Sequence, residues 1–140
     1  MKKAPSGKKK PTQAEHRRHN FAPALAMGPE RQGFRIVGRL WIEHDEQTAI
    51  SMARATLLEL IKTHGSISSA ARSMGISYAK AHRMVKEMNL WFDTILVDRS
   101  VGGVTGGGAI LTEKGEAVVA RFKMLVEDFN RWMADQDFRV

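Results

Sequence analysis

The stretch Ser66–Asn89, "SISSAARSMGISYAKAHRMVKEMN", decides how the chain folds. Gly75 divides it into two runs of helical character, and glycine accepts the left-handed backbone that a sharp helix-to-helix turn demands. Ala70 and Ala71 precede it where two crossing helices need small side chains for close approach. Met74 and Ile76 flank it, and Ala81, Met84, Val85 and Met88 give the second helix an inward stripe. An ordinary helical hairpin does not require all these positions jointly, whereas a helix-turn-helix does. Ser66 or Ser68 is placed to cap the first helix, and Ser77 the second.

The outward face of the second helix points to a partner. At about 100° per residue, Ala79, Arg83 and Lys86 cluster opposite the apolar stripe, with Lys80 and His82 at the flanks. From Ser66 to Lys86 there are four basic residues and no acidic one. The flanking segments balance: residues 34–65 hold four of each sign, and residues 113–140 hold five basic and six acidic. One basic face on a recognition helix favours the DNA major groove, where Arg83 can pair with guanine O6 and N7. Ser77 and Tyr78, at the start of that helix, are placed to anchor phosphates. Ser66, Ser68 and Arg72 on the preceding helix join the expected DNA-facing set.

Downstream, "RSVGGVTGGGAILTEKG" (Arg99–Gly115) holds a glycine-rich loop between two β-prone runs. A nucleotide-binding P-loop needs Lys and Ser/Thr directly after its last glycine, and here Gly108 is followed by Ala109 and Ile110. Placed after a recognition helix, the loop reads as a wing whose backbone N–H groups approach DNA phosphates. Gly102, Gly103, Thr105, Gly106 and Gly107 lie at its tip, and Arg99 at its base. Trp91 and Phe92 are expected to pack beneath it. Thr112 then caps a helix from about Glu113 to Ala134, in which Val118, Phe122, Leu125, Phe129 and Trp132 form a heptad-like seam. At roughly 33 Å this helix is longer than a small core needs to cover, and a second copy of the chain is the expected cover.

Upstream, "FRIVGRLWIE" (Phe34–Glu43) alternates as a half-buried strand, with Phe34, Ile36, Leu40 and Ile42 on one face. Asp45–Gln47 read as a turn, and Thr48 as the cap of a helix ending near His64 before Gly65. Residues 1–33 carry eight Lys/Arg against Glu15 and Glu30, a net of +6 out of +7, and show almost no apolar periodicity. They read as a disordered basic tail, and residues 34–140 as one domain. The fold class is mostly α: a winged helix-turn-helix with a small β-hairpin wing, a long C-terminal helix and that tail.

Several motifs in fixed order then carry a family. "GSISSAARSMGISY", "KEMN", "ILVDR", "GGVTGGGA" and "LTEKGEAVVARF" together resemble the DNA-binding domain of the molybdate-responsive ModE regulators, and more distantly the LysR-type winged helices. The resemblance spans roughly Ile36 to Met133. It implies a transcription regulator with Ser77–Lys86 in the major groove, dimeric through its first and last helices, which adds Leu57 and Ile61 to the expected interface. His82 departs from the tryptophan common at that position in the family. The sequence ends at Val140, so the oxyanion-sensing domain of full ModE regulators is not expected, and no small-molecule effector is visible.

Other classes are set aside on residue grounds. There is no cysteine, which excludes disulfides, thiolate metal sites and cysteine nucleophiles. Ser77-x-x-Lys80 lacks the companion motifs of penicillin-binding enzymes, and His16-x-x-His19 is an incomplete metal site, so neither an enzyme nor a metal or cofactor is expected. Arg17-Arg18 before "FAPALAM" imitates a secretory leader, but Pro23 interrupts it; a cytoplasmic protein without a membrane partner is expected. The alternatives kept open are a non-specific nucleoid-type or RNA-binding protein and a protein-interaction module on the same fold.

Overall fold

Three serines and a threonine start the four helices found among the described residues. The computed structural model describes residues 26–30, 33–99 and 108–138. Helix α1 is Met52–His64, α2 Ile67–Ser73, α3 Tyr78–Trp91 and α4 Glu113–Ala134. In each, the preceding hydroxyl accepts a first-turn N–H: Ser51 from Arg54 at 3.5 Å, Ser66 from Ser69 at 3.2 Å, Ser77 from Lys80 at 3.2 Å and Thr112 from Gly115 at 3.1 Å. Each such cap stabilises its helix by about 1 kcal/mol. Gly65 (φ 66°) ends α1, its N–H donating to the Ile61 carbonyl at 2.8 Å. Gly75 (φ 65°) makes the turn between α2 and α3, where the Ile76 N–H donates back to the Ala71 carbonyl at 3.1 Å.

α1 runs through the centre. Its Leu57, Leu58 and Ile61 are fully buried, and it packs on α2, on α4 and on the last strand. Ala70 and Ala71 of α2, with Ala81, Met84, Val85 and Met88 of α3, complete the core as the small and apolar spacing predicts. The winged helix-turn-helix class is borne out.

Among the described residues six short strands form three antiparallel pairs: β1 (Ala26–Met27) with β2 (Val37–Gly38), β3 (Trp41–His44) with β4 (Gln47–Ser51), and β5 (Val97–Arg99) with β6 (Ala109–Leu111). Two upstream expectations are corrected here. The single strand over Phe34–Glu43 is interrupted at Arg39–Leu40, because its two halves pair with different partners. The segment beginning at Thr48 is no helix. Asp45 (φ 48°) and Glu46 (φ 61°) close a tight turn, and Gln47–Ser51 returns as β4, burying Ala49 and Ile50. Ser51 therefore caps α1 in place of Thr48.

Paired backbone is also found before Phe34. β1 pairs with β2, and the Gly28 N–H donates to the Ile36 carbonyl at 2.9 Å. This corner lies against the end of α4: a Cβ on Gly28 would stand 2.9 Å from the Met133 carbonyl oxygen, and one on Gly38 would stand 2.9 Å from Cζ of Phe129. At Gly28 the neighbour is backbone, which cannot yield as a ring can, so only glycine fits so close there.

Candidate nucleic-acid interface

The helix-turn-helix presents α3 with its apolar stripe inward and its polar residues out. Ser77, Tyr78, Ala79, Lys80, Arg83 and Lys86 are exposed, and His82 is half-buried. On α2, Ser68 and Arg72 are exposed, while Ser66 is half-buried with its hydroxyl engaged as the cap. Arg99 is exposed at the end of β5, 2.9 Å through Nη1 from Nε2 of His82. The wing's base thus adjoins the outward face of α3. The wing-tip residues Gly102, Gly103, Thr105, Gly106 and Gly107 lie outside the described residues.

Two side chains that spacing did not single out hold this face in place. Arg54 of α1, only 11 % exposed, donates to Glu87 Oε2 at 2.6 Å and to the Met84 carbonyl at 3.2 Å, and its guanidinium stands 4.9 Å from the Trp91 ring centroid. It fastens α3 to α1 along three consecutive turns. Glu87 also faces Arg83, with Oε1 3.9 Å from Nε, a loose ion pair one helical turn apart. Arg83 is therefore near a carboxylate but not hydrogen-bonded to it.

Asn89 is the second. Its Oδ1 accepts from the N–H of Leu96 at 2.8 Å and of Val97 at 3.2 Å, and its Nδ2 donates to the Val97 carbonyl at 3.1 Å. An amide side chain offers both donor and acceptor, so it pairs with a strand end as another strand would. This residue sets where β5 begins relative to α3. The Thr112 hydroxyl, besides capping α4, donates to the Ile95 carbonyl at 2.7 Å, and the Thr112 N–H donates to Leu96 at 2.9 Å. β6 is tied to the turn after α1, Ala109 N–H donating to the Gly65 carbonyl at 2.9 Å. Trp91 faces Arg54, and Phe92 lines a groove beside α4.

That groove, about 720 Å³, is lined by Ile42 and Ile50 of the hairpin and by Phe92, Val118, Phe122 and Leu125. The expected dimer residues divide around it. Leu57 and Ile61 (0 % exposed) and Phe122 (2 %) are spent on the chain's own core, and a side chain with no accessible surface cannot meet a partner. Heptad spacing marks the covered face of a helix without saying which chain covers it. Val118, Leu125 and Phe129 are half-buried, and Trp132 is 56 % exposed, its ring stacked on Phe129 with centroids 6.1 Å apart. Trp41, Ile42, Val37, Phe34 and Phe138 are exposed as well.

Among the described residues no cluster of His, Asp and Glu is arranged to hold a metal, and no helix is long and apolar enough to cross a membrane. The fold and this face define a winged helix-turn-helix.

Residues 52–116 match the model of the bacterial regulatory helix-turn-helix protein, LysR family. The chain is 46 % identical over 90 residues to the molybdenum-pterin-binding protein MopA of Rhodobacter capsulatus, covering 64 % of this chain and 34 % of that one. It is 42 % identical over 74 residues to the DNA-binding transcriptional dual regulator ModE of Escherichia coli K12, covering 53 % and 28 %. With the molybdenum transport protein ModE of Azotobacter vinelandii the identity is 38 % over 91 residues, covering 65 % and 34 %. A solved LysR family transcriptional regulator aligns with a TM-score of 0.45 at 19 % identity, over 57 % of this chain and 26 % of that one. The chain carries a LysR-type helix-turn-helix and is homologous to the ModE and Mop proteins, of whose length it spans about a third or less.

Proposed function

We propose that this chain binds double-stranded DNA sequence-selectively and acts in transcriptional regulation in the cytoplasm. The outward face of α3 carries this reading: Lys80, Arg83 and Lys86 are exposed on a helix whose opposite face is locked into the core. Arg83 reads a base: Glu87, the carboxylate near it among the described residues, is held by Arg54 and stands 3.9 Å from Nε, too far for a hydrogen bond. Ser68, Arg72, Lys80, Lys86 and Arg99 follow phosphates on either side, with Ser77, Tyr78 and the glycine-rich wing completing the contact. The lysine-rich segment before Ala26 adds charge-driven affinity without selectivity. A second copy covers Trp132 and the apolar groove along α4, placing two recognition helices about 34 Å apart on a pseudo-palindromic site.

Titration against genomic fragments and random duplex at two salt concentrations tests this. Affinity is expected to fall with salt at a slope of about 0.9 per neutralised phosphate. Arg83→Ala is expected to cost about 1–3 kcal/mol on the selected site and less on random DNA. If no fragment outcompetes random duplex, selective regulation gives way to a non-specific role.

A further inference from the structure

The contact between His82 and Arg99 is informative about protonation. Arg99 Nη1 lies 2.9 Å from His82 Nε2. A guanidinium has five N–H donors and no acceptor, so the imidazole must present a lone pair at Nε2 and keep its one proton on Nδ1. Tyr78, one turn earlier on α3, lies against the same ring, with centroids 5.7 Å apart and planes inclined by 26°. The other charged groups nearest in sequence are Lys80, Arg83 and Lys86 on α3 and Asp98 on β5. Among the described residues Arg99 forms no ion pair with a carboxylate.

We propose that His82 is the positioning residue of Arg99, a neutral acceptor that fixes the guanidinium against α3 without cancelling its charge. A carboxylate in the same place would hold the arginine more tightly but would neutralise it and repel a phosphate. The imidazole leaves the full positive charge available while joining the base of the wing to the recognition helix. Tyr78 limits the ring's rotation, so the lone pair stays aimed at β5. The two elements then meet the DNA backbone as one body. This rests on the DNA-binding reading above and assigns His82 a role other than reading a base.

The test is a double-mutant cycle on a duplex carrying the selected site, at about pH 8.5, above the imidazole range. His82→Phe keeps a ring against Tyr78 but has no acceptor; His82→Gln keeps an acceptor. His82→Phe and Arg99→Gln are each expected to weaken binding by about three- to tenfold, the effect of one net hydrogen bond. The double variant is expected to be no weaker than the weaker single one, and His82→Gln to retain most of the wild-type affinity. Additive losses, or equal losses for Phe and Gln at position 82, overturn the proposal. A second readout uses the free protein: long-range 1H–15N spectra are expected to show His82 protonated on Nδ1, with that preference lost in Arg99→Gln. A proton on Nε2 in the wild type overturns the positioning role alone, with DNA binding intact. The Nδ1 tautomer in a protein that binds no duplex overturns the DNA-binding reading, and the role of the contact in it falls too.

Discussion

The two ends of the molecule are finished differently. At the wing end, the backbone of Ile95–Val97 is taken up by Asn89 and Thr112, and Gly115 lets α4 close over Leu96 and Leu111 with no space left. At the hairpin end, β3 is exposed along its whole length, and Phe34, Val37, Trp41, Ile42, Trp132 and Phe138 remain open to water. The first end has the backbone at its strand start held by side chains and carries the basic face, with Leu90, Ile95 and Ile110 exposed beside it. The second leaves a large apolar surface, of the kind that marks an interaction site in soluble proteins.

The most severe way to break the finished end is Gly115→Ala. The new Cβ would lie 2.5 Å from the Leu96 carbonyl oxygen and 2.4 Å from Leu111 Cδ1, and the carbonyl cannot move without disturbing β5. A loss of about 3 kcal/mol, at the upper end for overpacking, is expected in urea denaturation. Asn89→Ala comes next. It strands two N–H groups and a carbonyl that are partly shielded from water, and should cost about 2 kcal/mol. Helix content by circular dichroism should stay unchanged, because α3 itself loses no cap.

The open end should respond in the opposite manner. Trp132→Asp removes an exposed ring that stacks on Phe129, so the stability of the single chain should fall by only about 0.5–1.5 kcal/mol. Self-association, followed by light scattering across a dilution series, should nevertheless weaken; an unchanged oligomeric state would remove Trp132 from any interface. The smallest effect belongs between the ends, where Lys123 of α4 donates to Glu59 of α1 at 2.8 Å. That hydrogen bond, and then the charge of Glu59, raise the lysine pKa above its ordinary value. A raised pKa means stability that is fully present below the unfolded value and is lost as pH rises through the folded one. Lys123→Met should therefore cost about 0.5 kcal/mol or less near neutrality, and the difference from wild type should shrink as pH rises through the raised lysine pKa.

What was legible in the residues follows the same division. The helix-turn-helix rests on local requirements, each visible at its own position: a glycine with left-handed φ, small residues four and five places before it, and a hydroxyl before each helix. The hairpin end depends on which strand meets which. Alternation from Phe34 to Glu43 is continuous across the break at Arg39, and Ile50 fits a helical spacing as readily as a strand. The two-residue turn at Asp45–Glu46 was the available signal for a returning strand. Asn89 escaped notice because its partners are backbone groups seven and eight residues on, which no side-chain pattern marks. Phe122, with Leu57 and Ile61, shows the limit of a seam: it reports burial, not the identity of the cover.

The turn between β3 and β4 also shapes how the molecule moves. Asp45 and Glu46 both occupy the left-handed region without being glycine, at a cost of roughly 1 kcal/mol each. That strain is relieved when the two strands part, so the amides paired between β3 and β4 are expected to exchange with solvent by local opening of the hairpin. The amide of Ala109, held by the Gly65 carbonyl beside the core, is expected to exchange with solvent more slowly than the amides of that hairpin.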